Sequence, residues 1–442
     1  MSGRVVGNAV SVMAAQLGSY ALPLITVPYL LRVIGPEHYG LIAFSQAVMA
    51  YFVTLVNYGF NLSATRELAV RRDDRALRSE LFSTVITIKL GLCALSLAVL
   101  GLLIHFLPRF HQDAPVFLAS FGTVIGMTLY PVWFFRGIEK LYLISAVNIT
   151  ANLIFTVSIF IFVRHSSDYL IAAILQAAGQ IVAGVLALVL LFARERVRLV
   201  IPTAGQLRHR LVDGWYLFMS TAAATLYTSS NAVVLGFVCG MTQVGYYSAA
   251  YKIFAAGQGL VAPMCQAIYP HVCSLAHRSG ELAISYLRKA MVVIGGLTFV
   301  GGAAVILFAH PIVRVAMGSK YLASVPVLEL MAMTPFACAL NNIYGTQGML
   351  NFGMKAQYSR IIIASAFFNN MILIPLCLWF KAPGAAVAGL ITETVVTIMM
   401  GLALQSRGVD LLPRPSDFRA PFINLSFVAQ RSFGKVRGWS LD

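Results

Sequence analysis

The stretch VIGPEHYGLIAFS at residues 33–45 has an altered copy, VCGMTQVGYYSAA, at residues 238–250. Both copies carry glycine at the same two places, at one offset of 205 residues: Gly35 and Gly40, then Gly240 and Gly245. A weaker echo pairs GIEKLY (137–142) with GMKAQY (353–358). Polytopic transporters are often built from two related halves. We therefore expect two similar halves, each containing the same hairpin.

The composition surrounding these turns indicates a membrane protein. Of the 442 residues, 59% are hydrophobic and 11% charged, and the mean hydropathy is +0.80. Soluble domains carry about 25% charged residues, so cytosolic enzymes and secreted proteins are excluded. The apolar segments are too long, and too uniformly apolar, for the strands of about 10 alternating residues that build membrane barrels. The predicted fold class is an all-α integral membrane protein.

Segments with the roughly 20 apolar residues that a spanning helix needs number twelve. Their approximate bounds are 9–31, 39–62, 81–107, 114–135, 141–163, 169–193, 215–238, 243–270, 289–309, 324–350, 358–380 and 383–404. The first follows a single early arginine and is longer than a secretory h-region, so we expect it to be a retained span. Twelve spans and the repeat predict two lobes of six helices each. Because six is even, both lobes begin on the same side of the membrane, so the two lobes are parallel.

The positive charge follows this topology. The chain has 32 Lys and Arg against 16 Asp and Glu, a net charge of +16. With the N-terminus inside, 24 of these cations fall on inner segments, 6 on outer segments and 2 within spans. Cytoplasmic loops are enriched in Lys and Arg, so both termini are predicted to be cytoplasmic. The charge therefore indicates membrane topology and gives no reason to expect a nucleic-acid partner.

The predicted organisation has four parts. Residues 1–193 form the N-terminal lobe, 194–214 a basic cytoplasmic linker, 215–404 the C-terminal lobe, and 405–442 a basic cytoplasmic tail. The tail is rich in Arg and Pro and is expected to lie on the surface or to be disordered. The six cysteines lack metal-ligand spacing and are interpreted as small core residues, so no metal or cofactor is expected.

Two lysines fall at membrane depth, where ionisable groups are costly and mark functional sites. Lys252 lies about two turns into the eighth span, near Tyr247 and Tyr251. It either lines a polar cavity or extends its amine outward to the interface. Lys89 lies about two turns from the cytoplasmic end of the third span, and we expect it to snorkel.

Three further charged residues are candidates. Arg32 ends the first span and Arg66 the second; each is an interfacial anchor or a cation that grips an anionic headgroup through its planar fork. Glu393 in the twelfth span either titrates in an ion-coupled cycle or is a buried, hydrogen-bonded acid. The first span contains no acid that could relay protons in a drug antiporter.

Uncharged polar residues concentrate in three spans that the repeat predicts to face between the lobes: Gln16, Ser19, Tyr20, Thr26, Ser45, Gln46, Asn57, Tyr227, Ser229, Ser230 and Asn231. Amide and hydroxyl groups beside aromatic rings suit sugars, and Asn231 and Tyr247 are among the predicted substrate-binding residues. The alternative role is hydrogen bonding between helices.

Three motifs resemble the polysaccharide transporter family of lipid-linked oligosaccharide flippases, the O-antigen (Wzx-type) translocases. They are PYLLRVIGPEHYGLIAFSQAVMAYF (28–52), NYGFNLSATRELA (57–69) with its RRDD loop, and YPVWFFRGIEK (130–140). The resemblance covers residues 1–405 and is strongest in the first 150. It implies a MATE-like fold of two lobes around a cavity, in the bacterial inner membrane.

The resemblance also implies transport, by alternating access, of an undecaprenyl-pyrophosphate-linked glycan to the outer leaflet. Membrane lipids and other polysaccharide assembly proteins are the expected partners. Cavity cations would hold the anionic carrier, and the residues matching by motif or by depth are Arg32, Arg66, Lys89 and Lys252. The alternatives are a lipid II flippase, a MATE-like drug antiporter, and a membrane-embedded glycan polymerase or ligase. A polymerase or ligase needs a larger outer loop than any predicted here.

Overall fold

The structure is a computed structural model that describes residues 3–419, with the backbone alone described for residues 3–21, 23, 24, 260, 416 and 419. The regular elements in this range are helical. In chain order they are α1 (Gly3–Asn57), α2 (Phe60–Val70), α3 (Arg75–Phe106), α4 (Pro108–Gln112), α5 (Ala114–Leu129), α6 (Val132–Gly137), α7 (Leu141–Phe162), α8 (Tyr169–Glu195), α9 (Ala204–Cys239), α10 (Met241–Arg278), α11 (Gly280–Ala290), α12 (Gly296–Leu307), α13 (Ala309–Ala316), α14 (Val325–Met331), α15 (Thr334–Asn341), α16 (Lys355–Gln405) and α17 (Pro415–Arg419). Short 3-10 or π-helical turns occupy Ser166–Asp168, Met291–Gly295, Ser319–Ser324 and Asn342–Met349.

Within the described residues, nine helical segments are long and apolar enough to cross a membrane. Two of them, Ile25–Val70 and Lys355–Gln405, contain 46 and 51 residues. These lengths are about twice the 20 residues of a single crossing, and each segment covers two predicted spans. The chain is an all-helical, polytopic membrane protein, and twelve stays the predicted number of crossings.

The turn that separates the first two spans is made by one glycine. Gly35 interrupts α1 with φ 76 and ψ 173, a conformation that residues with a β-carbon rarely adopt. Gly240, its counterpart in the repeat, joins α9 to α10 with φ 92 and ψ 168. The two copies of the hairpin therefore turn with the same backbone geometry.

These two turns also pack against one another. A β-carbon at Gly40 would lie 1.8 Å from the carbonyl oxygen of Met241, and one at Gly245 would lie 1.9 Å from that of Pro36. Under the repeat offset Pro36 corresponds to Met241, so one contact is made twice. Such reciprocity is typical of like surfaces related by a two-fold axis. The second glycine of each copy is required because the backbones approach too closely for any side chain.

The chain folds into two compact units. The first comprises residues 7–249 and 315–321, and the second comprises residues 250–314 with the described residues before 7 and from 322 onward. The lobes divided at the 194–214 linker stay a prediction.

Within the first unit, α5 and α8 pack at backbone distance. A β-carbon at Gly126 would lie 2.4 Å from the carbonyl carbon of Gln180, and one at Gly184 would lie 2.7 Å from the carbonyl oxygen of Gly126. Glycine on each helix thus removes the side chains that would separate them. The consequence is that polar residues of α8 stand directly beside α5.

In the second unit, the beginning of the predicted tail packs on the helices. Arg288 of α11 donates to the backbone carbonyl of Asp410, at 3.0 Å from its Nε, and Leu411 is 1% exposed. The start of the tail therefore packs against the helices of this unit, and its character as a cytoplasmic segment that is surface-lying or disordered stays a prediction. Residues 420–442 lie outside the described part of the chain.

A polar cavity as candidate functional site

A cavity of about 450 Å³ lies within the first unit, among α1, α5, α8 and α9. It is lined by Gln46, Met49, Ala50, Val53, Thr54, Thr123, Met127, Gln176, Gln180, Thr225, Thr228 and Ser229. Eight of these twelve side chains are amides or hydroxyls, and none of the twelve is charged or aromatic. The volume is in the range of ligand pockets, roughly 300–1,000 Å³. We refer to this space as the polar cavity.

Hydrogen bonds across the polar cavity join helices that are distant in sequence. The side-chain amide of Gln46 donates to the amide oxygen of Gln176. The hydroxyls of Thr54 and Thr225 lie 2.8 Å apart. The Gln180 side chain makes no hydrogen bond with any residue in the described range. Polar groups of α1 are thus held against α8 on one side and α9 on the other.

Lys89 does not snorkel, and that prediction was wrong. Its side chain is buried, with 2% exposed, and its Nζ donates to the carbonyl oxygen of Met127 at 2.7 Å. In a continuous helix the amide of residue 131 would bond this carbonyl, but residue 131 is proline and has no N–H. The buried position of Lys89 is therefore explained by the Met127 carbonyl, which has no helical hydrogen-bond donor and accepts from the lysine instead. Lys89 is absent from the lining of the polar cavity.

The other three predicted cations are exposed. Arg32 donates to the backbone carbonyl of Val315 within the first unit. Arg66, on α2, makes no ion pair with the part of the chain that the structure describes. Lys252, on α10, belongs to the second unit. None of the three lines the polar cavity, and their role in binding substrate stays a prediction.

Several predicted polar residues are bonded between helices, which is the alternative role considered for them. Asn231 Nδ2 donates to the hydroxyl of Tyr247 at 3.0 Å, and both are buried. Ser45 and Ser120 hydroxyls lie 2.8 Å apart. Gln46, which is also bonded between helices to Gln176, and Ser229 line the polar cavity.

For the remaining predicted polar positions the outcome is mixed. Thr26 is hydrogen-bonded to Thr156 at 3.0 Å. The Ser230 hydroxyl is buried with no hydrogen-bond partner among the described residues. The side chains of Gln16, Ser19 and Tyr20 lie outside the described part.

Glu393 is a hydrogen-bonded acid in the second unit. The Asn341 amide donates to its carboxylate, and Thr397 donates to the Asn341 amide oxygen at 2.6 Å. This arrangement agrees with the hydrogen-bonded alternative, and ion coupling stays a prediction.

Charged pairs tie together the loops that the charge pattern predicts to be cytoplasmic. Glu195, with 4% of its side chain exposed, accepts from Lys140 at 2.5 Å and lies 3.6 Å from Arg78. At the start of α9, Arg210 grips both carboxylate oxygens of Glu67. These bonds connect the 194–214 linker to the helix ends of the first unit.

Asp113, between α4 and α5, is a half-buried acid near Glu37 and His38 of the turn at Gly35. Burial raises the pKa of its carboxyl, while the nearby Arg109 guanidinium opposes this rise. Glu37 also raises the pKa, and His38 lowers it.

Sequence reasoning missed most of the polar cavity. Gln176 and Gln180 stand four residues apart in the apolar α8, a spacing that places both on one helix face. Amides at membrane depth mark helix contacts or substrate paths, so this spacing was the available signal. No comparable signal marked Thr54, Thr123 and Thr225, because threonine is common in membrane spans, where its hydroxyl often bonds the backbone of its own helix.

Within residues 3–419, no group of three His, Cys, Asp or Glu side chains is placed to hold a metal ion. The six cysteines are free thiols.

Comparison with known proteins gives one family. Residues 5–276 match the family described as "Polysaccharide biosynthesis protein". A curated protein of Escherichia coli (strain K12), provisionally named an O-antigen transporter, is 34% identical over 396 residues, which cover 89% of this chain and 95% of that protein. A Shigella dysenteriae protein with the same provisional name is 27% identical, over 86% of this chain and 95% of its own.

Solved structures with the same fold are distant in sequence. The lipid II flippase MurJ in its inward closed conformation has a TM-score of 0.73 at 14% identity, over 99% of this chain and 94% of that one. An inward-facing multidrug resistance MATE family transporter of the MOP superfamily has a TM-score of 0.65 at 15% identity, over 89% of this chain and 97% of that one. At such identities the likeness concerns the fold alone. The family match over residues 5–276 and the 34% identity to the Escherichia coli protein show that the chain belongs to the polysaccharide biosynthesis protein family.

Proposed function

We propose that this protein moves an undecaprenyl-pyrophosphate-linked oligosaccharide from the cytoplasmic to the outer leaflet of the bacterial inner membrane. The observation that carries the proposal is the polar cavity, which lies among four helices of membrane-spanning character. Polar surface at membrane depth is costly unless it serves a hydrophilic cargo. The names of the two curated relatives, both O-antigen transporters, support the same cargo class.

Binding the carrier's pyrophosphate requires cations that are exposed and not already paired with an acid. Arg66 and Lys252 are exposed and make no ion pair with any residue in the described range, so their charge is available to a headgroup. Arg32 is exposed but donates to a backbone carbonyl, and Lys89 is buried and bonded. We therefore rank Arg66 and Lys252 above Arg32 as phosphate contacts, and place Lys89 last.

Alternating access would use the two glycine turns as a closure on the predicted outer side. The contacts of Gly40 with Met241 and of Gly245 with Pro36 exclude any side chain, so the two turns are in backbone contact at these points. Opening to the outside would require these turns to part. Ion coupling at Glu393 belongs to the same proposal, since a carboxylate with several hydrogen-bond partners can exchange them when its protonation changes.

The alternatives are less well supported. A glycan polymerase or ligase would need an acid or base to activate a nucleophile, and no His, Asp, Glu, Lys or Cys is among the residues that line the polar cavity. A drug antiporter would need a carboxylate or aromatic rings to bind cations, and neither lines the polar cavity. A lipid II flippase differs only in its glycan, so the experiment must compare cargoes.

Reconstitution tests the proposal directly. The full chain in proteoliposomes is supplied with undecaprenyl-pyrophosphate carrying a fluorescent oligosaccharide in one leaflet, and transfer is read by quenching with a membrane-impermeant reagent. We expect faster transfer than in protein-free vesicles. Lipid II and a fluorescent drug cation are run in parallel. Transfer of either competitor without transfer of the oligosaccharide carrier would contradict the proposal.

A further inference from the structure

We propose that the polar cavity binds uncharged sugar residues of the cargo, and that Gln46, Gln176 and Gln180 select hydroxyl and acetamido groups against charged ones. The inference depends on the proposed function and narrows it: the glycan carried has neutral sugars where it occupies this cavity. The cations considered for the pyrophosphate lie elsewhere, so phosphate and sugar are recognised by different residues.

The glutamine cluster has the hydrogen-bonding capacity that sugars require. A glutamine side chain offers one carbonyl acceptor and two N–H donors. The bond from Gln46 to Gln176 leaves the carbonyl oxygen of the first and the NH₂ of the second unused by that contact. An acceptor beside a donor matches neighbouring sugar hydroxyls, each of which can both donate and accept. An acetamido group presents the same pair.

Gln180 extends this cluster by one helical turn. It stands four residues after Gln176, on the same face of α8, and its side chain is half-buried in the cavity wall. Because it makes no hydrogen bond with any described residue, its full capacity is available to a ligand. The three amides therefore form a row that a sugar can contact at several positions.

Threonines supply the opposite wall. Thr228 donates its hydroxyl proton to the carbonyl of Ala224 at 3.1 Å, and Thr225 donates to that of Thr221 at 3.0 Å. A hydroxyl that has donated its proton to its own helix can still accept, so these oxygens favour a ligand rich in donors. The threonine methyl groups give the apolar contact that the face of a sugar ring needs.

Charge complementarity excludes the other ligand classes. The described lining contains no Lys, Arg or His for a uronic acid and no Asp or Glu for an amino sugar or drug cation. Lys89, which donates to the backbone carbonyl of the lining residue Met127, is itself absent from the lining. Burying an unpaired charge is far more costly than burying a hydrogen-bonded hydroxyl, so neutral polar groups are the preferred occupants.

Binding is tested with the purified full chain in lipid nanodiscs. Saturation-transfer NMR compares a neutral oligosaccharide containing N-acetylhexosamine with one of equal length containing glucuronic acid. Replacing Gln176 and Gln180 together by Met keeps the side-chain length and removes the amides. We expect about tenfold weaker binding of the neutral oligosaccharide, which corresponds to about 1.4 kcal/mol, because the double variant lacks the hydrogen bonds of two amides.

The matched control is Gln112→Met, the same chemical change at an exposed position on α4, which should bind as the wild type does. Unchanged binding in the double variant, or equal binding of the glucuronic acid oligosaccharide by the wild type, would overturn the inference. Thermal unfolding of each variant separates lost binding from lost folding; if the double variant unfolds early, the single variants replace it.

Transport distinguishes this failure from failure of the proposed function. If the wild type moves a lipid-linked oligosaccharide and the double variant moves it equally well, the cavity assignment is wrong while the flippase function holds. If the wild type moves none, the proposed function fails whatever the sugar binding shows. We expect transport by the wild type with a reduced rate for neutral cargo in the double variant.

Discussion

Lys89 illustrates how one residue compensates for the backbone defect that another creates. Pro131 leaves the carbonyl of Met127 without its helical donor, and the Lys89 amine takes that place at 2.7 Å. A buried carbonyl without a partner costs about 1–3 kcal/mol. The lysine is therefore a structural residue of the first unit, although its depth alone had marked it as functional.

Substitution Lys89→Met should lower stability by about 1–3 kcal/mol, because the apolar side chain fills the space but leaves the carbonyl unsatisfied. Thermal unfolding in detergent measures the loss. Lys320→Met, at an exposed position, is the control and should leave the midpoint unchanged. Equal midpoints for Lys89→Met and the wild type would show that the carbonyl finds another donor.

Arg66 and Lys252 are expected to act on the cargo and not on the fold. Both are exposed, so Arg66→Ala and Lys252→Ala should each abolish surface glycan display while protein levels stay normal. Complementation of a strain lacking the transporter measures display, and immunoblotting measures protein. Lys320→Ala serves as the control. Normal display in both variants would contradict a cationic headgroup site.

Asp113 predicts a pH dependence of stability. Burial raises the pKa of its carboxyl in the folded protein above the ordinary value of about 3.9. The folded state then binds the proton more tightly than the unfolded state does, so this contribution is present at low pH and is lost as the pH rises through the raised pKa.

Asp113→Asn should therefore unfold at a higher temperature than the wild type at neutral pH, with the difference shrinking as the pH falls towards 4. Unfolding midpoints at several pH values test this. Asp213→Asn, at an exposed aspartate, provides the comparison. A difference that grows on acidification would reverse the sign and reject the explanation.

At the scale of elements, the close contact of the two hairpin turns depends on glycine. Gly40→Ala would place a carbon 1.8 Å from the Met241 carbonyl oxygen, which the two turns can relieve only by moving apart. Overpacking of this kind typically costs about 1–3 kcal/mol. We expect Gly40→Ala to lower the unfolding midpoint.

Gly91→Ala is the matched control, because a β-carbon there meets nothing within 4 Å. In the interior of α3 alanine should be neutral or stabilising by about 0.5–1 kcal/mol. If Gly40→Ala were as stable as Gly91→Ala, the turns would already be separated in the membrane.

The second sequence repeat, residues 137–142 and 353–358, predicts the positions of the helices better than that of the turn. The sequences at 137–142 and 353–358 align glycine with glycine, but the positive φ falls on Glu139 in the first copy and on Gly353 in the second. Both copies nevertheless precede a long helix, α7 or α16. The repeat therefore places the elements correctly and misplaces the turn by two residues.

For the whole molecule, alternating access requires the two turns to separate. In a variant whose six native cysteines are replaced by serine, spin labels at Glu37→Cys and Thr242→Cys, positions equivalent under the repeat, report the distance between the turns by pulsed EPR. We expect one short distance without cargo and an additional longer one with lipid-linked oligosaccharide. Labels at Asp73→Cys and Gly91→Cys, exposed positions just before α3 and in its middle, should show no cargo-dependent change. A single unchanged distance at the turns, in protein that transports, would refute the proposed outer closure.

The sequence by itself determined the all-helical membrane fold, the repeated hairpin and the family, because hydropathy, glycine spacing and motifs are properties of short segments. The reciprocal packing of Gly40 and Gly245 also follows a pattern visible in the chain. Only the tertiary structure brought Gln46 to Gln176, 130 residues apart, and buried Lys89 against the carbonyl that Pro131 leaves free. Side-chain partners across helices depend on how helices pack, which local patterns do not specify.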